Sequence, residues 1–272
     1  MKSLTIGFCL VANVILLGMQ SVLFGFPRED AISIGKREKI HSKILKEEKN
    51  LSIFLPDGYS RSRESYPILF MFYNGEPGFH YASGIVRFLT GNTRVPRMIV
   101  VAVDVDGRRD LTPTKSAAYG PTSGGADNFI KFLKEELVPY LAEKYRTEPY
   151  RIIWSHSIGG TLCIYALLSE PDLFQAVIVS SPWFIYDQDK RFLLKNTERF
   201  LGKRSGQKNF LFITAGNEPA LLPSIQGFIK ILEQNAPEGL TWKFSIQKEE
   251  DHRTIMLRCL PEGLRSLYGT NR

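Results

Sequence analysis

Arg151-Ile152-Ile153-Trp154-Ser155-His156-Ser157-Ile158-Gly159-Gly160 decides how this chain is read. An apolar run stops abruptly at Ser-His-Ser-Ile-Gly-Gly, and Thr161-Leu162-Cys163-Ile164-Tyr165-Ala166-Leu167-Leu168 follows at once with helical character. The pattern predicts a buried strand, a tight turn and a buried helix. A serine at the tip of such a turn stands clear of its own backbone, and small neighbours keep the turn free of clashes. The helix N-terminus behind it favours negative charge developing nearby. The stretch therefore nominates Ser157 as a nucleophile, in a G-x-S-x-G pattern whose first glycine is replaced by Ser155. An ordinary Ser/Gly-rich turn carries similar letters, so the rest of the chain must supply the partners.

Outward from this turn, apolar runs alternate with helical spacing. Residues 66–73, 98–104, 175–181 and 209–215 are near-continuous apolar runs, as in strands covered on both faces. Residues 126–145 place Phe129, Phe132, Leu133, Leu137, Tyr140 and Leu141 at helical intervals. Further helices are expected over about 221–234 and 254–268, the second with a break at Pro261. Residues 189–201 also read as helix, too short for a large lid. Residues 31–55 read as an antiparallel edge hairpin, and 240–246 as a half-exposed last strand. This alternation specifies an α/β fold, a mostly parallel sheet with helices on both faces.

A chain of 272 residues accommodates one such domain, expected over residues 31–272. The net charge of +7 is spread along the chain, and no nucleic-acid-binding motif accompanies it. Nucleic acid is therefore not an expected partner. After Lys2, residues 4–26 are mostly apolar and uncharged, and Pro27-Arg28-Glu29-Asp30 closes the run. Residues 1–26 read as a signal peptide, or as an uncleaved signal-anchor that holds the protein at a membrane. Either way export is expected, to a periplasm or to the medium. Beyond that segment Cys163 and Cys259 remain, as two buried thiols or as a disulfide in an oxidising compartment. No Cys/His spacing suggests zinc, and neither metal nor cofactor is expected.

A nucleophilic serine needs a base to take its proton and an acid to orient that base. Behind a strand-turn-helix elbow the chain order is serine, acid, histidine. His252 lies in Glu249-Glu250-Asp251-His252, the loop after the last strand, where the base belongs. His156 adjoins the serine and is expected to point away from it. His80, near the loop after the strand at 66–73, is on the wrong side of that order and is a substrate-side candidate instead. The acid is expected after the next-to-last strand, where Gly216-Asn217-Glu218-Pro219 offers Glu218. Asp251 and a Ser157–His252 dyad are the alternatives. Arg109 and Asp110 either contact substrate or brace their loop. Trp183, in Pro182-Trp183-Phe184-Ile185-Tyr186, either lines a pocket mouth or packs in the core.

Several stretches carry a resemblance. They are Ser42-Lys43-Ile44-Leu45, Leu55-Pro56-Asp57-Gly58-Tyr59, Arg109-Asp110-Leu111-Thr112-Pro113, Ser123-Gly124-Gly125-Ala126-Asp127, His156-Ser157-Ile158-Gly159-Gly160, Pro171-Asp172-Leu173-Phe174 and Asp251-His252. Together they resemble the "putative esterase" branch of the α/β-hydrolases. That branch includes siderophore (enterochelin-type) esterases, S-formylglutathione hydrolases, feruloyl esterases and mycolyltransferases. The likeness runs from about Glu38 to Tyr268. It implies an α/β-hydrolase fold with a minimal lid and a serine carboxylic-ester hydrolase, Ser157 being the nucleophile and His252 the base. A small-molecule ester, with siderophores among the options, is the implied substrate. An acyltransferase or a binding module that lost catalysis are the alternatives on the same fold. In this fold the N–H after the nucleophile, here Ile158, forms an oxyanion hole with a second N–H, here of Gly75 or Glu76. Three departures stand out: Ser155 for the first glycine, Arg253 where glycine is common after the histidine, and no clear aspartate at the acid position.

Overall fold

The computed structural model describes residues 33–72, 76–92, 95–204 and 206–269. The expected leader over residues 1–26 lies outside them. The strands are β1 (Lys36–Ser42), β2 (Glu47–Phe54), β3 (Tyr66–Met71), β4 (Ile99–Val103), β5 (Thr147–His156), β6 (Ala176–Ser180), β7 (Asn209–Ala215) and β8 (Leu240–Ile246). They form one sheet in the order β1-β2-β4-β3-β5-β6-β7-β8. The β1–β2 and β2–β4 pairings are antiparallel, and every other neighbouring pair is parallel. The edge hairpin and the α/β-hydrolase architecture expected from the sequence are both present.

The helices are α1 (Glu76–Gly91), α2 (Ala126–Phe132), α3 (Val138–Lys144), α4 (Ser157–Ser169), α5 (Phe192–Leu201), α6 (Leu222–Asn235) and α7 (Ile255–Tyr268). Why the central strands read as unbroken apolar runs is now plain. In β3, Ile68 and Phe70 point into one core layer while Leu69 and Met71 point into the other. The same alternation divides Val177 and Val179 of β6 from Ala176 and Ile178. Helices α2 to α6 cover the first layer; α1 and α7 cover the second. Cys163 belongs to the first and Cys259 to the second; both are buried free thiols, so the disulfide alternative is not formed. Helix α5 buries Leu193, Thr197 and Leu201 and packs with α4 and α6, as part of a layer rather than a lid.

Two helices depart from the simple expectation. Residues 126–144 are helical, but a π turn at Leu133–Leu137 separates α2 from α3. That wider turn carries Glu136, whose carboxylate accepts hydrogen bonds from Ser42 Oγ at 2.5 Å and from the N–H groups of Lys43 at 3.0 Å and Ile44 at 3.2 Å. The hairpin turn is thereby tied to the helical layer. The break expected at Pro261 is absent, and α7 runs through it. A proline at 261 leaves the Leu257 carbonyl without its helical donor. The Tyr81 hydroxyl of α1 donates to that carbonyl at 2.6 Å and replaces the missing bond. Among the described residues, no helix is long and apolar enough to cross a membrane.

Helix α7 lies close to β6 because residue 263 has no side chain. A Cβ at Gly263 would meet Ile178 Cγ2 at 2.5 Å. Ile178 is β-branched and fully buried, so it has little room to yield. Gly263→Ala is expected to cost about 1–3 kcal/mol of stability through overpacking. Each kcal/mol is worth about 2–4 °C of Tm in a chain of this size. Thermal unfolding followed by circular dichroism checks this; an unchanged Tm would show that the helix can shift at no cost.

Candidate active site

Strand β5 ends at His156 and helix α4 begins at Ser157 with no intervening loop. Ser157 has φ 55°, a left-handed conformation that costs a non-glycine residue about 1–2 kcal/mol. The flanking strand and helix, both buried, enforce it. This bend turns the Ser157 hydroxyl out at the carboxyl end of the sheet.

The loops after β7 and β8 meet beside it. Asn217 N–H donates to the Glu250 carbonyl at 2.6 Å, and Gln247 N–H to the Ala215 carbonyl at 2.8 Å. A Cβ on Gly216 would lie 2.5 Å from the Glu250 oxygen, so only glycine permits this approach. As a result His252 sits between two partners. Its Nε2 is 3.0 Å from Ser157 Oγ, and its Nδ1 is hydrogen-bonded to Glu218 Oε1. A carboxylate accepts only, so Nδ1 carries the proton and Nε2 presents a lone pair to the serine hydroxyl.

Glu218 is buried, and its second oxygen accepts from Ser181 Oγ and from Gly216 N–H at 2.9 Å. Burial alone would push its carboxyl up. Hydrogen bonds from His252, Ser181 and Gly216 outweigh burial and hold it below the usual carboxylate range, hence ionised. Asp251, the alternative acid, is spent on its own turn: Oδ1 accepts from the N–H groups of Arg253 at 2.7 Å and Thr254 at 3.1 Å.

The remaining nominated residues divide. Ile158 is the second residue of α4, so its N–H has no acceptor within the helix. Gly75 lies outside the described residues. Glu76 opens α1 with an exposed side chain paired to Arg37. Trp183 N–H donates to the Ser157 carbonyl at 3.2 Å, and its ring meets Tyr119 edge-on at 6.1 Å. Tyr119 also meets Tyr186, whose hydroxyl is 2.8 Å from Thr114 Oγ1. An aromatic group thus lies beside the elbow. Arg109 braces: its guanidinium donates to Asp110 at 2.7 Å and Glu47 at 3.0 Å, and its carbonyl accepts from Gly125 N–H. With both carboxylates on it, the guanidinium is committed within the protein and not presented to a substrate. His80 is an exposed residue of α1 with a ring contact to its neighbour Phe79. Among the described residues, no cluster of three or more His, Cys, Asp or Glu could hold a metal ion.

Sequence reasoning missed Ser181 and gave His156 no part in the site. Ser181 directly follows β6 with φ 45°, and its hydroxyl bonds the buried carboxylate. Nothing in the letters marks it, because its partner is 37 residues away. His156 bonds Ser180 Oγ through Nδ1 at 2.9 Å, and its ring packs against His252 with centroids 4.5 Å apart.

A family model described as "Putative esterase" matches residues 42–210. The ferri-bacillibactin esterase BesA of Bacillus subtilis is 36% identical over 99 residues, 35% of this chain and 34% of that protein. The siderophore triacetylfusarinine C esterase of Aspergillus fumigatus is 35% identical over 83 residues, 28% of each. These alignments span about a third of the length of those two relatives. Among solved structures, an IroE-like serine hydrolase from Shewanella oneidensis superposes with a TM-score of 0.78 at 26% identity, covering 86% of this chain and 80% of that one.

Ser155, the departure from the usual elbow glycine, is matched by a glycine elsewhere. Its hydroxyl is buried, 3.5 Å from the Phe72 carbonyl, and fills the space where a Cβ on Gly159 would sit, 2.1 Å away. Gly159→Ala is expected to cost about 1–3 kcal/mol and to displace the elbow. Adding Ser155→Gly to that variant should restore most of the loss, since the obstructing atoms are gone. Urea titration of the wild type and the two variants checks this; equal midpoints for the single and double variants would mean the strain lies elsewhere.

Proposed function

The chain belongs to the "Putative esterase" family, and on that premise we propose that it is a serine carboxylic-ester hydrolase working through an acyl-enzyme on Ser157. The observation that carries this reading is the Ser157 Oγ to His252 Nε2 distance of 3.0 Å, with Nδ1 held by Glu218. Ser157 Oγ bonds to the ester carbonyl carbon as its proton passes to Nε2. The oxyanion that forms lies against the Ile158 N–H and the positive end of α4. Collapse breaks the bond to the alcohol oxygen, which leaves with the proton from Nε2. Water then attacks the acyl group by the same route and returns the serine. Glu218, already ionised, favours the imidazolium that forms in each half-reaction.

The substrate class proposed is a siderophore-type ester. Two of the similar proteins are named for siderophore esters, and the net charge of +7 favours an anionic one. Tyr119 and Trp183, both half-buried, supply apolar surface for aromatic or aliphatic groups of such a ligand, and the buried Tyr186 backs Tyr119. Residues 1–26 are proposed to direct the enzyme out of the cytoplasm, with cleavage near Phe26 or retention at a membrane.

Ser157 is expected to be labelled by a fluorophosphonate, and Ser157→Ala to lose both labelling and turnover of p-nitrophenyl esters. Labelling of that variant at the wild-type rate would place the nucleophile elsewhere. His252→Ala should lose about two to four decades of rate with the fold intact. Glu218→Gln keeps the shape, removes the charge and should cost about two or more decades in kcat. A loss below about threefold would instead favour a Ser157–His252 dyad. Intact-mass measurement on protein fractionated from its native host tests export, and a full-length soluble cytoplasmic form would contradict it.

A further inference from the structure

His156 is the last residue of β5 and stands opposite Ser180, the last residue of β6, in the strand ladder. Its Nδ1 lies 2.9 Å from Ser180 Oγ, so a cross-strand hydrogen bond fixes the ring. Ser180 is fully buried, and the buried Cys259 thiol of α7 interacts with it as well. The sheet therefore holds the position of this imidazole. His252, by contrast, hangs from a loop and keeps a side chain 38% exposed. The rings of His156 and His252 are 4.5 Å apart between centroids and inclined at 50°.

We propose that His156 is a positioning residue: its ring, anchored to Ser180, forms the wall that stops the His252 imidazole from rotating away from Ser157 and Glu218. This rests on the esterase reading above and deepens it. The base must satisfy two partners at once, one from each ring nitrogen, and a modest rotation loses both. A third rigid contact removes that freedom. The wall must also be uncharged, because His252 becomes a cation during each half-reaction. Burial pushes His156 down to about 4, the neighbouring His252 acts in the same direction, and Glu218 and the backbone of Ser180 and His252 only partly oppose them. It is neutral at neutral pH and does not repel the imidazolium. An aliphatic side chain here would lack the bond to Ser180, and a lysine or arginine would oppose the charge on the base.

The test combines kinetics with a signal that needs no substrate. His156→Ala should lower kcat by about 10- to 100-fold with KM within about twofold, the pattern of a misplaced catalytic group. Ser180→Ala should lower kcat by about threefold, and the double variant should match His156→Ala, since Ser180 acts through His156. In proton NMR of the unliganded protein, the low-field resonance of the His252–Glu218 proton, assigned by its loss in Glu218→Gln, should exchange with water at least about tenfold faster in His156→Ala. If His156→Ala does not fold, a smaller acceleration, about threefold, is expected in Ser180→Ala, which leaves the ring in place but unanchored. A kcat within about twofold of wild type, multiplicative losses in the double variant, or an unchanged low-field resonance would each overturn the proposal. Absence of ester turnover in the wild type would instead sink the esterase reading, and the resonance would still decide whether His156 confines His252.

Discussion

The approach of the Glu250 carbonyl to Gly216 sets the geometry on which the candidate site depends. Glu218 and His252 lie on loops that follow different strands, β7 and β8, and 34 residues separate them. The Asn217–Glu250 backbone bond presses those loops together, and the missing side chain at 216 allows it. A larger residue would move Glu250 outward, and His252, two residues further on, would move with it. Both hydrogen bonds of the His252 ring would lengthen. The meeting of Glu218 and His252 thus depends on this backbone contact, while Ser181 and the Gly216 N–H complete the hydrogen bonding of the carboxylate.

Around that contact the parallel sheet supplies rigid ends. Residues that terminate β5 and β6 take on polar duties the strand interiors do not have. His156 and Ser180 pair across the ladder, and Ser157 and Ser181 follow them, both with positive φ. Two adjacent strands therefore end in the same kind of bend, one aiming a hydroxyl at His252 and the other at Glu218. Left-handed serines are unfavourable in isolation, and here buried structure on both sides enforces them. Ser181 also keeps its N–H on the Thr214 carbonyl at 2.8 Å, so the bend leaves the pairing to β7 intact.

The loops after β4 and β6 are held by the same economy of contacts between chain segments far apart in sequence. The long loop after β4 is closed on itself by Gly125 and Arg109 and by Ser116 and Ser123, then fastened to the loop after β6 through Thr114, Tyr186 and Asp187. Lys49, Glu47, Arg109 and Asp110 form the charged knot at its base; Asp110 is fully buried with cations on both oxygens. Such a knot contributes most by its order, because removing one member strands a buried charge. Arg109 and Asp110, which looked available for substrate, are consumed in building this frame, and Trp183, in ring contact with Tyr119, is bonded through its backbone N–H to the Ser157 carbonyl.

The sequence by itself determined what depends on local pattern. Unbroken apolar runs announced strands covered on both faces, because alternating side chains such as Leu69 and Phe70 enter different layers and both are buried. The abrupt change from Trp154 to Gly159 announced the bend at Ser157, since the small residues Ser155 and Gly159 on either side of it pack against each other. Chain order led to His252 and to Glu218. Only the tertiary structure decided which groups touch across long separations. It set Asp251 on its own turn, Arg109 on Glu47, Tyr81 under the helix break that Pro261 would otherwise make, and His156 against His252. The physical reason is that a hydrogen bond or a ring contact is fixed within a few tenths of an ångström, whereas sequence periodicity resolves only which face a residue occupies.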